Sequence, residues 1–117
     1  MLGRSTSALL LVLLIPLVAV AQQYFRPPDP GAMKHLTTKY SDHAADIPGD
    51  ETKMDYYQTP GGEIVTIYSY KGRKVAYSVH SNTATQTTYR IFLDPKGDGL
   101  FQEIMAGVKW QIPAWAR

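Results

Sequence analysis

Cysteine is absent from all 117 positions. Its absence excludes a disulfide framework and an acylated lipoprotein anchor. Many small exported domains offset a thin core with disulfides, so this chain must hold together by β-packing or by a partner. A strong charge of one sign is also missing. The net charge of +2 includes Arg4 in the first few residues, which leaves too little to argue for nucleic acid or for an acidic membrane face. No apolar run reaches the ~20 residues that a spanning helix needs. The longest, Ala8 to Val20, is shorter and carries Pro16. There is no phosphate-cradling glycine loop, and no serine sits in a nucleophile-elbow context.

What is present at the start of the chain has a clear layout. A short basic stretch ending at Arg4 precedes the apolar run, and Ala19-Val20-Ala21 follows as an A-x-A site. That is the order of a secretory signal, with Gln22 as the expected mature N-terminus. Export to the periplasm or the medium is the reading, with no stable membrane insertion after signal cleavage. The alternative is a chain held in the inner membrane by an uncleaved signal segment.

Residues 22–52 have little apolar periodicity and contain Pro27, Pro28, Pro30 and Pro48. Prolines remove backbone donors and push their predecessors to extended geometry. The expectation is a polar, largely unstructured, Pro-rich arm, with a short helix over 32–45 as the one element it could hold. From Lys53 the pattern turns to period two. Candidate strands cover 54–58, 63–70, 73–80, 87–93 and 100–105. Turn residues separate them at Thr59-Pro60-Gly61-Gly62, Lys71-Gly72 and Asp94-Pro95-Lys96-Gly97-Asp98-Gly99. In the fourth candidate strand Tyr89, Ile91 and Leu93 share one face. In the third, strict alternation sends Val75, Tyr77 and Val79 inward. The fold class is mainly β: a small antiparallel meander of four to five strands over 53–117, ending in a tail with Trp110 and Trp115. Trp110 and Ile112 are expected to close one face of the sheet. Truncation before Lys53 is then expected to leave the fold standing, and removal of Trp110 to Arg117 is not.

Three constellations bear on chemistry. The Asp94–Glu103 loop places Asp94, Asp98 and Gly99 on the first, fifth and sixth positions of a calcium loop. Lys96 takes the third position, where an oxygen ligand belongs, and the nearest late carboxylate is Glu103. If metal binds, Asp94, Asp98 and Glu103 are the ligands and calcium is the ion; no other cofactor is expected. His35 and His43 lie among acidic residues but match no compact chelate. His80 has no acid or nucleophile near it in sequence, and general-base work needs such a companion. The tyrosines form the third constellation. Tyr68, Tyr70 and Tyr77 load the sheet with side chains suited to a half-dry face, and they are the candidate partner-binding residues. The functional expectation is a non-catalytic binding or envelope-accessory module with a protein partner in the cell envelope. The alternative is a calcium-binding module using the Asp94–Glu103 loop, and an enzyme comes third.

Overall fold

A computed structural model describes residues 23–41, 52–105 and 107–117. The expected signal segment 1–21, and His43 with its acidic neighbours, lie outside the described residues. The described chain is mainly β. Its six strands are β1 (Lys34–Ser41), β2 (Thr52–Gln58), β3 (Ile64–Tyr70), β4 (Arg73–Asn82), β5 (Thr87–Leu93) and β6 (Gln102–Ile104). They form one sheet in the order β1-β2-β3-β4-β5-β6, every neighbouring pair antiparallel. This is the meander that short turn-rich connections favour. The sheet has one strand more than expected, because residues 34–41, inside the span considered for a helix, form β1. Thr37 and Thr38 are β-branched, and the strand pairs along β2 from Lys34↔Gln58 to Ser41↔Thr52. Ladder bonds to a ready-made neighbour outweigh a weak local helix preference. Residues 42–45 of that expected helix lie outside the described residues.

The turns follow their residue chemistry. Lys71 (φ 51°) and Gly72 (φ 77°) both take positive φ in the β3–β4 turn, as a two-residue hairpin loop with right-handed strand twist requires. The alternation expected for β4 is broken near its start. Lys74 opposes Ser69 and Ala76 opposes Tyr68, so Val75 is an extra residue. This bulge turns Val75 to the same side as Ala76, and both enter one core cluster. Beyond it Tyr77 and Val79 face the opposite side.

The sheet is dry on both faces. On one, Met54, Tyr68, Tyr70, Val75 and Ala76 pack with Ile112 and Ala116, flanked by Trp110 and Trp115. The C-terminal tail therefore closes this face. On the other, Val65, Ile67, Tyr77, Phe92 and Phe101 pack with Phe25, Met33 and Tyr57. Here the cover is the N-terminal arm. Phe25 exchanges two backbone hydrogen bonds of 2.7 Å with Phe101, just before β6, and the chain reappears as β1 at the far edge. Five inter-strand gaps of ~4.8 Å make roughly 24 Å, and nine extended residues at ~3.3 Å reach roughly 30 Å, so the arm is long enough to strap the sheet. The part of the arm before β1 is packed: Phe25 meets the Phe92 ring edge-on at 5.0 Å. The sheet and its second core thus include residues before Lys53.

Candidate functional site

The Asp94 loop has the geometry of a closed turn. Asp94 is 2% exposed. Its Oδ1 accepts from the backbone N–H groups of Lys96 (3.2 Å) and Gly97 (2.8 Å), and its Oδ2 accepts from Gly99 (3.0 Å). Asp98 Oδ1 accepts from the N–H of Leu100 at 3.1 Å. Glu103 is engaged elsewhere, holding Arg90 in a two-pronged pair at 3.0 and 2.7 Å. That partner draws the Glu103 carboxyl below its usual range and raises the Arg90 guanidinium. Among the described residues no group of three or more His, Cys, Asp or Glu is disposed to hold a metal ion. The three expected ligands serve two loop turns and a surface ion pair.

The loop is also the seat of the C-terminal tail. Trp115 Nε1–H donates to the Asp94 carbonyl at 2.7 Å, and Arg73 donates to the Trp115 carbonyl at 3.2 Å. The indole lies so close to Gly97 that an added Cβ would stand 2.9 Å from two of its carbons. Gly97 also has φ 77°, so glycine answers both a backbone and a packing demand there.

The tyrosines expected to meet a partner are buried. Tyr70 is 1% exposed, Tyr77 3% and Tyr68 8%. Tyr68 and Tyr70 lie under the tail and Tyr77 under the arm. This corrects the expectation of an open tyrosine face, which assumed that a single terminal segment had to cover a two-faced sheet. The Tyr68 and Tyr77 hydroxyls have internal partners. Tyr68 hydrogen bonds with Tyr89 and Ser78, and burial first, then the Tyr89 bond, raises its ionisation above the usual phenol range. Tyr77 donates to the Arg26 carbonyl at 3.5 Å, and burial pushes its pKa up to about 12.

Two histidines have defined surroundings. His35 Nε2 lies 3.0 Å from Thr38 Oγ1, and Thr38 in turn donates to Asp55. Lys53 Nζ sits 3.6 Å from the same carboxylate. The Thr38 hydroxyl thus joins the imidazole on its own strand to the carboxylate on β2. The cluster holds β1 on β2. His80 meets Tyr89 edge-on at 6.3 Å.

The feature that sequence reasoning missed is an apolar groove of about 580 Å³ at the β6 edge of the sheet. Tyr89 and Ile91 of β5, Ile104 at the end of β6, and Met105, Val108 and Trp110 of the following segment line it. Trp110 forms its inner wall, edge-on to Tyr68 at 5.4 Å. Met105 is 78% exposed, and Tyr89 and Val108 are more than half exposed. The groove joins residues from three segments, so no local pattern announces it. The one local signal was Met105 and Val108, two apolar residues placed just past the last strand.

No family model, no curated protein and no solved structure matches the chain.

Proposed function

We propose that this chain is a small exported module with a non-catalytic binding or envelope-accessory role, and that its contact surface is the groove at the β6 edge. The observation that carries the reading is the exposure of Tyr89, Met105 and Val108 around one concave apolar site. Apolar side chains gathered at a concavity are a common mark of a binding surface, whereas singly scattered ones are ordinary. β6 is also short and is the last strand of the sheet, with Phe25 bridged to Phe101 beside it. A partner or ligand with apolar groups would gain hydrophobic contact there without disturbing either core. The experiment is titration with an apolar, environment-sensitive fluorescent dye. Saturable binding that Val108→Asp weakens at least ~10-fold is expected, since a charge in the groove must be desolvated. Equal binding by the variant overturns the assignment of the groove.

A further inference from the structure

We infer that the occupant of the β6-edge groove is the surface of a lipid bilayer; the inference rests on the groove being the contact surface. Its first support is where the chain leaves the fold. Gln23, Phe25 and Glu103 line one shallow hollow beside β6, and Glu103 also borders the groove. Val20, the last residue of the apolar run, precedes Gln23 by three residues, a reach of at most about 11 Å. Where that run stays in a membrane as an uncleaved anchor, the β6 edge of the folded chain is therefore held close to the bilayer surface. The opposite edge, β1, lies five inter-strand gaps away, roughly 24 Å.

The second support is what this edge displays. Among the described residues the exposed large apolar side chains are Tyr24, Leu36, Tyr40, Tyr89, Met105 and Val108. Leu36 and Tyr40 belong to β1. The other four are on the tethered side: Tyr24 next to the Phe25 bridge, and Tyr89, Met105 and Val108 around the groove. Tyrosine, an indole and aliphatic side chains at one rim, with Lys109 between Val108 and Trp110, are the composition that suits the boundary between headgroups and acyl chains. Among the described residues, Lys71, Arg73 and Lys74 gather at the β3–β4 turn, and none of them lines the groove. The attachment is accordingly apolar and resists salt.

The test uses the chain from Gln22, which contains every described element and both cores. Sedimentation with vesicles of phosphatidylethanolamine and phosphatidylglycerol is measured in low and high salt. The apolar-dye titration is run beside it. The comparison protein is Met105→Asp/Val108→Asp, whose thermal melt should match the parent because both side chains are exposed. Vesicle binding that survives high salt and falls at least ~10-fold in the double variant is the expected result. Binding that the double variant retains overturns the inference, since another surface is then responsible. Dye binding without vesicle binding also overturns it, leaving the groove as a site for a protein segment. Loss of both signals in the parent removes the groove reading along with it.

Discussion

Asp94 shows how one side chain organises a loop. Its carboxylate is buried and takes three backbone N–H groups of the turn that follows, while its own carbonyl accepts from Trp115. Asp94→Ala leaves those donors to find water or nothing, and an unmet buried donor costs about 1–3 kcal/mol. A loss of about 3 kcal/mol in denaturant unfolding is expected, with β6 and the tail affected together. The same geometry predicts that millimolar calcium leaves the melting temperature unchanged. A calcium-dependent rise, the linkage signature of a ligand that binds only the folded state, would establish the loop as a metal site. Tyr77 offers a pH test. Its folded pKa of about 12 exceeds the ordinary phenol value of 10, so burial favours the neutral form. The stability that this group contributes is complete below pH 10 and declines as pH rises towards 12, because the unfolded chain ionises first. Tyr68 shifts in the same direction. Tyr77→Phe keeps the stack on Phe92 at 4.5 Å and gives up one long hydrogen bond. Near-parental stability at pH 7 is expected, with a smaller loss of stability between pH 10 and 12, followed by circular dichroism.

Both terminal segments act as covers, and each should fail in its own way. Removing residues 22–33 strips Phe25 and Met33 from the second core. It also strips the cation–π contact of Arg90 with the Phe25 ring at 5.6 Å. Burial of each apolar side chain is worth ~1.5–3 kcal/mol, so about 4 kcal/mol should be lost, a large part of a small domain's net stability. A melt that the truncation leaves unchanged would show the arm to be an ornament on a sheet stable without it. Gly97→Ala tests the other cover. Positive φ alone costs an L-residue roughly 1–2 kcal/mol, and the new methyl group meets the Trp115 ring. A loss of at least ~2 kcal/mol is expected, with the Trp115 emission shifting towards that of exposed indole as the tail lifts.

For the molecule as a whole, the two cores and the proposed contact surface occupy different regions. The two cores run through the middle strands, β2 to β5, while the exposed apolar residues gather at the edges. This separation means that groove variants should change attachment without changing the fold, and core variants the reverse. The tail links the two roles. Its Ile112 and Ala116 belong to the first core, Trp115 packs against it, and Trp110 both packs against it and lines the groove. Deleting residues 107–117 should therefore abolish cooperative unfolding as well as dye binding, whereas Val108→Asp should abolish only the second.

Strands β2 to β6 were legible in the chain because period-two alternation and turn residues act within a few positions of each other. Thr59-Pro60-Gly61-Gly62 and Lys71-Gly72 mark reversals by their own backbone preferences, whatever surrounds them. The tail was legible for a different reason: Trp110, Ile112 and Trp115 carry too much apolar area to leave in water. The first strand and the packed arm were not. Phe25 and Met33 stand alone in a polar, proline-rich stretch, and their burial depends on a sheet face that exists only once distant strands have paired. β3 already held the warning, since Val65, Thr66, Ile67 and Tyr68 are all buried, a pattern that requires cover on both faces but does not name what supplies it. The fate of the tyrosines turned on the same point. A phenol on a strand suits an open face or a closed one equally well, and long-range packing of the two ends of the chain made the choice. The groove followed from that packing, where the returning tail leaves the end of β6 partly uncovered.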